Sequence, residues 1–148
     1  FPQQSFTTVP FSISAVLPQR TFLEKVFLLH EEFSQDPEKI RIERLSRHLY
    51  DLERLMDTEH GMEALKSSDL YNNIVTHREK FNPLRGLDYT NHTPDKIKII
   101  PPGTIIKDYE KDYSEMTKFM IYGDPLSFEG LIKRINELQN RINKISRH

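Results

Sequence analysis

Four polar side chains in one short segment could bind a phosphate if that segment is helical. At about 100° per residue they project within roughly a third of the helix circumference: Arg44, Arg47, His48 and Asp51. The planar donor fork of arginine suits a phosphate, and a nearby carboxylate can serve a metal or take a nucleophile's proton. The same pattern also fits ordinary exposed ion pairs, each worth about 0.3–0.5 kcal/mol.

A lysine in the preceding predicted helix is a second candidate. Lys25 falls at the edge of the apolar stripe, with Thr21, Leu29 and Glu32 on its own face. Its stem could simply lie along the apolar surface with the ammonium in water. A partly desolvated ammonium there would also suit a triphosphate, because it is a compact charge with rotating donors. The pattern alone does not decide between the two interpretations.

The spacing of apolar residues predicts a mainly α chain of the α+β class, with a helical, bundle-like domain and a short amino-terminal β element. Turn and cap residues divide it into segments. The predicted segments are a strand at Phe11–Leu17, a helix from Pro18 to about Ser34, a helix from Pro37 or Glu38 to Asp57 stopped by His60-Gly61, a helical turn at Met62–Lys66, a helix at Asp69–Phe81 capped by Ser67 or Ser68, a loop at Asn82–Pro94, an extended stretch at Lys96–Ile100, a helix from about Ile105 to Ile121 and a last helix capped by Ser127.

Length and composition predict a single domain spanning residues 1–148. The 21 basic and 22 acidic residues nearly cancel, so any polyanion site has to be local. Cysteine is absent, which fits a reducing cytoplasm, and no apolar run is long enough to span a bilayer. We therefore expect a cytoplasmic protein without a membrane partner.

Three further patterns could indicate metal or RNA binding, or only ordinary surface residues. The six histidines include no i,i+4 pair, which argues against a zinc site. Asp108, Glu110 and Asp112 alternate, but on a helix they spread around the axis and do not converge on a metal. The last helix is locally basic, which indicates either a solvated face or contacts with an RNA backbone.

Several strings of the sequence resemble the second half of AbiEii/AbiGii-type toxins. The two most specific are RTFLEKVFLLHEEF at residues 20–33 and RLSRHLYDLERLMD at residues 44–57. Three later strings agree in order and spacing, at residues 72–81, 111–123 and 127–143. The resemblance implies a nucleotidyltransferase fold followed by a helical domain. It also implies a toxin beside a cognate antitoxin, acting in phage defence by abortive infection.

The resemblance also assigns residues. Lys25 would hold the nucleoside triphosphate, and Asp51 would be the late acidic residue of the catalytic site. Arg47 and His48 belong to the same string as Asp51, and with Arg44 they would contact phosphate or acceptor. The acceptor would be RNA or protein, and magnesium would be required by the full-length enzyme.

The paired carboxylates that hold magnesium in such enzymes are not found in this sequence. Its only glycine before residue 80 is Gly61, and no suitable D-x-D or D-x-E follows it. We therefore expect residues 1–148 to be the carboxy-terminal half of a larger enzyme, without the amino-terminal catalytic core and inactive alone. The alternative is a non-catalytic helical module that binds a cognate antitoxin or RNA.

Overall fold

The computed structural model describes residues 10–81, 92–119 and 125–145, with side chains from Pro18 onward apart from that of Phe81. Within these residues the chain is mainly helical, as predicted. The α-helices are α1 (Pro10–Phe33), α2 (Ser46–Leu55), α3 (Glu59–Lys66), α4 (Ser68–Phe81), α5 (Ile106–Thr117) and α6 (Phe128–Asn143), with short 3₁₀ turns at Pro37–Lys39 and Pro94–Lys96.

Helix α1 is the centre of the packing, and it contacts α2, α3 and α4, while α2 also packs on α5 and α6. The apolar stripe predicted for α1 is buried, with Leu23, Val26 and Phe27 fully enclosed. Helix α6 buries the predicted seam of Leu131, Ile135, Leu138 and Ile142. Periodic apolar residues therefore identified the core faces correctly.

The predicted strand at Phe11–Leu17 is wrong, because these residues form the first turns of α1. The described residues contain no strand with which it could pair. A helix satisfies its own backbone N–H and C=O groups, whereas an unpaired strand leaves them to water. Pro10 at the helix start fits the helical alternative, since the first turn needs no N–H from it.

Helix α2 begins later than predicted, at Ser46 and not at Pro37 or Glu38. After the 3₁₀ turn the backbone is extended at Ile40, and Arg44 has a positive φ of 65°. A left-handed residue interrupts a right-handed helix, so the segment before Ser46 cannot continue α2. The prediction failed because the apolar spacing continued through Ile42 while the backbone did not.

The sequence suggested that Gly61 stops a helix. In the structure Gly61 lies inside α3. The side chain of Thr58 caps this helix by accepting a hydrogen bond from the Gly61 N–H. A Cβ atom at Gly61 would lie 2.1 Å from the Leu55 carbonyl oxygen. Glycine is thus required by the close approach of α3 to the end of α2.

The caps of the later helices agree with the sequence. Ser67 accepts a hydrogen bond from the Leu70 N–H before α4, and Ser127 accepts one from the Gly130 N–H before α6. Ile97 is extended, within the stretch predicted for residues 96–100. The predicted loop at residues 82–94 lies largely outside the described residues, as does the end of the helix predicted to reach Ile121.

Candidate functional site: a shared carboxylate between two helices

Lys25 and Asp51 meet where α1 packs on α2. The Lys25 Nζ lies 3.1 Å from the Asp51 Oδ2, and each side chain keeps 23% of its surface exposed. The two residues are 26 positions apart, so only the packing of the helices brings them together. The result is an ion pair that solvent and a charged ligand can both reach.

Arg47 binds the other oxygen of the same carboxylate. Its Nε donates to the Asp51 Oδ1 at 3.3 Å, across one turn of α2. The Arg47 side chain is 62% exposed, so most of its guanidinium faces solvent. Asp51 therefore holds two cations side by side, one from each helix, and these cations could grip neighbouring oxygens of a phosphate chain.

His48 lies beside this pair and is half-buried. Burial lowers its pKa below 6.5, and the positive charge of Lys25 lowers it further, while Asp51 acts in the opposite direction. The lowered pKa favours the neutral ring. Its Nδ1 is buried and has no hydrogen-bond partner among the described residues. A neutral imidazole can accept a proton or donate a hydrogen bond, depending on its tautomer.

Arg44 is not on the same helix face as Arg47 and Asp51, because it precedes α2 in the left-handed turn. Its side chain is exposed, and its backbone N–H donates to the Asp112 Oδ1 at 2.8 Å. The helical projection that grouped Arg44 with the others therefore does not apply to it. Its role in phosphate or acceptor binding stays a prediction.

Asp112 of α5 holds the start of α2 and was missed as a functional residue. Its Oδ2 accepts hydrogen bonds from the Ser46 N–H and hydroxyl, at 3.0 and 2.5 Å. A carboxylate at a helix amino terminus satisfies free N–H groups and complements the helix dipole. Because Asp112 lies 66 residues after Ser46, no local capping pattern in the sequence could reveal it.

A second ion pair fixes the chain just before α2. The Glu32 carboxylate, 3% exposed, accepts bonds from the Arg41 Nε at 2.9 Å and the Arg41 N–H at 3.0 Å. The Tyr109 hydroxyl of α5 donates to the Arg41 carbonyl. The charge of Arg41 also contributes to lowering the pKa of His48. Arg41 thus joins the electrostatic surroundings of the site.

The described residues do not form a metal site. No group of three or more His, Asp or Glu side chains in these residues could hold a metal ion. Asp51 is already shared by two cations, whereas magnesium and similar ions need several oxygen ligands. These residues therefore do not fit a divalent metal.

Two arginines of the basic last helix, Arg134 and Arg141, form ion pairs within the protein. Arg134 binds Asp57 and Glu53, and Arg141 binds Asp57 and Glu137. These contacts tie α6 to the end of α2. They favour a structural interpretation of the two arginines over contact with an RNA backbone.

The sequence matches the family of nucleotidyl transferase AbiEii toxins of type IV toxin–antitoxin systems over residues 1–134. The chain therefore belongs to this family, and the resemblance drawn from its motifs is confirmed. Membership implies a nucleotide substrate and an antitoxin partner, and nucleotidyltransferases generally use a divalent metal. Neither a curated protein nor a solved structure gives a significant match. No helix among the described residues is long and apolar enough to cross a membrane.

Proposed function

We propose that this chain supplies the triphosphate-binding face of a toxin nucleotidyltransferase. The observation that carries the proposal is the contact of Lys25 with Asp51, because together with Arg47 it places two cations on one carboxylate that keeps 23% of its surface exposed. The half-buried His48 beside this pair has a lowered pKa, and perturbed pKa values cluster at functional sites. Family membership supplies the reaction class, which is transfer of a nucleotide from a nucleoside triphosphate.

Each residue has a proposed role in that reaction. Lys25 binds the triphosphate through its ammonium, and Arg47 orients a neighbouring phosphate oxygen. Asp51 positions both cations and assists at the reacting centre. His48 contacts phosphate or acceptor as a neutral ring, and Arg44 contributes from the turn before α2. In this arrangement the arriving phosphates compete with Asp51 for the two cations.

Other parts of the proposal concern the full-length enzyme. We propose magnesium as its divalent ion, on ligands outside the described residues, and RNA or protein as the acceptor. A cytoplasmic toxin that acts in abortive infection against phage agrees with the family and the composition. Residues 1–148 are proposed to be its carboxy-terminal domain and to be inactive alone.

The test measures transfer of label from each of the four α-radiolabelled nucleoside triphosphates to bacterial RNA and protein. The full-length enzyme should transfer label, and residues 1–148 should not. Lys25→Gln should lower kcat/KM of the full-length enzyme by about 100-fold or more, because a preorganised contact to the reacting phosphates is lost. Asp51→Asn should also reduce transfer strongly.

The matched control is the exposed pair of Lys118 and Glu115 on α5, 3.3 Å apart. Lys118→Gln and Glu115→Gln should leave transfer unchanged, although each also breaks a lysine–carboxylate contact. Full activity of Lys25→Gln and Asp51→Asn would contradict the proposal and favour the non-catalytic module that docks antitoxin or RNA. Robust transfer by residues 1–148 alone would contradict the proposed division of the enzyme.

A further inference from the structure

A polar cleft lies on the other side of α1 from Lys25. It has a volume of about 510 Å³ and lies between α1, the segment around the Pro94–Lys96 turn, and α6. His30 of α1 and Ser34, just after its end, line the cleft, and at about 100° per residue His30 lies roughly 140° around the helix from Lys25. The cleft is therefore separate from the proposed catalytic face. Its volume falls in the range of roughly 300–1,000 Å³ found for small-molecule sites.

The wall of the cleft formed by residues 94–99 is held by side chains of the neighbouring helices. The Lys98 N–H donates to the His30 Nδ1 at 3.0 Å, and the Ile99 N–H donates to the Gln139 Oε1 at 2.7 Å. The Asn143 Nδ2 donates to the carbonyls of Pro94 and Ile97, at 2.7 and 3.2 Å. These bonds fix the 3₁₀ turn at Pro94–Lys96 and the backbone that follows it, so the wall is preformed.

The polar groups that remain in the cleft suit an anionic ligand. Lys96 and Lys98 both line it, are exposed and form no ion pair with a described residue. The amide nitrogen of Gln139 and the amide oxygen of Asn143 make no described hydrogen bond, so a donor and an acceptor are available beside the lysines. Asp95 also lines the cleft and opposes an anion, but the two lysines outnumber it.

We propose that this cleft binds a mononucleotide through its phosphate. Two compact ammonium groups match a phosphate, which carries more charge than a carboxylate and accepts several hydrogen bonds. The amide donor and acceptor match the polar edge of a base, which presents both kinds of group. The inference goes beyond the proposed function, since it uses none of the residues around Asp51.

The experiment titrates the isotopically labelled full chain with UMP and AMP and follows its amide signals by NMR. The backbone amides of Lys98 and Ile99 and the side-chain amide of Gln139 should shift and saturate. Uridine and adenosine lack the phosphate and should bind at least about tenfold more weakly, because losing a hydrogen bond to a charged group lowers affinity by about that factor. Absence of saturable shifts at these amides would overturn the proposal, as would equal binding of the nucleosides.

Variants that remove a positive or a negative charge from the cleft should change UMP binding in opposite directions. Lys96→Gln with Lys98→Gln should weaken UMP binding by about tenfold or more, whereas Asp95→Asn should strengthen it by about two- to fivefold. The control is Lys133→Gln on α6 with Lys144→Gln just after its end, two exposed lysines that do not line the cleft, and it should change nothing. An equal loss in the control variant would show that binding follows net charge and not the cleft, and would refute the site.

A last variant separates this inference from the proposed function. Lys25→Gln should leave UMP binding at the cleft unchanged, even where it abolishes nucleotide transfer by the full-length enzyme. If Lys25→Gln removed the shifts of Lys98 and Ile99, the two regions would be one site and the inference would fail. If transfer survived Lys25→Gln while the cleft still bound UMP, only the proposed function would fail.

Discussion

Two clusters of charge lie on helix α1, and they differ in burial. In the first cluster Lys25 and Arg47 share Asp51, and the carboxylate keeps 23% of its surface exposed. In the second, Arg78 forks onto Glu31 at 2.6 and 2.7 Å, and the His92 Nε2 lies 2.9 Å from the same carboxylate. Glu31 is only 4% exposed and His92 is fully buried.

The difference in burial distinguishes a structural ion pair, at Glu31, from one at Asp51 whose members can exchange partners with a ligand. Burial raises the pKa of Glu31, but the hydrogen bonds from Arg78 and His92 outweigh it, so the net pKa lies below 4.5. Such a carboxylate is charged and enclosed, and a ligand cannot reach it. The first cluster also joins basic side chains to one carboxylate, but it does so where solvent reaches the boundary between two helices. Residue type alone therefore does not indicate function, whereas exposure and the chance to exchange partners do.

The largest expected loss of stability comes from breaking the buried ion pair of Arg78 and Glu31. Arg78→Met should lower the free energy of unfolding by about 3–5 kcal/mol, because the Glu31 charge is then left buried without its main partner. Lys25→Met should cost less, about 1 kcal/mol, since the pair is partly exposed and water screens it more than the buried pair. Urea denaturation of both variants measures the contrast.

A double variant is the control for this result. Arg78→Met combined with Glu31→Leu should recover much of the lost stability, because the buried Glu31 carboxylate is no longer left without its arginine partner. If Arg78→Met cost no more than Lys25→Met, the distinction between a structural and an exchangeable pair would be wrong.

An intermediate effect is expected at the cap that supports the first cluster. Asp112→Ala should lower the free energy of unfolding by about 1–2 kcal/mol, because the Ser46 N–H and hydroxyl lose their acceptor. The neighbouring Asp108→Ala on α5 is the control, since Asp108 is exposed and no described hydrogen bond involves its side chain. Thermal unfolding that shows equal effects for the two variants would contradict the capping role.

The smallest effect is a change in the pKa of His48. An NMR titration should give a midpoint below 6.5, and Lys25→Met should raise it because one nearby positive charge is removed. Asp51→Asn should lower it further, since Asp51 favours the charged ring. Lys118→Gln should leave the midpoint unchanged. Shifts of the reverse sign would show that His48 does not sense the Lys25–Asp51 pair.

The lowered pKa of His48 also predicts how the free energy of unfolding changes with pH. The unfolded chain binds a proton at His48 near pH 6.5, whereas the folded chain binds it only at lower pH. Between the two pKa values the unfolded state carries more protons, so the free energy of unfolding falls as the pH falls through this window. His48→Gln should reduce that slope.

The sequence by itself determined the helical periods, the buried faces and the contacts within one helix. Leu49 and Leu52 of α2 and the seam of α6 are buried as the spacing predicted. The contact of Arg47 with Asp51 also follows from their spacing of one turn. These features depend on 3.6 residues per turn, which any segment of helix repeats without help from the rest of the chain.

Only the tertiary structure decided where α2 begins and what faces Asp51. Asp112 binds Ser46 from 66 residues away, and the turn at Arg44 removes that residue from the predicted face. Lys25 reaches Asp51 because α1 crosses α2 at that level. Phe11–Leu17, predicted to be a strand, form part of α1, and the described residues contain no strand with which they could pair. Helix boundaries and contacts between helices depend on which elements meet in space. The spacing of residues within one segment of the sequence does not determine which elements meet.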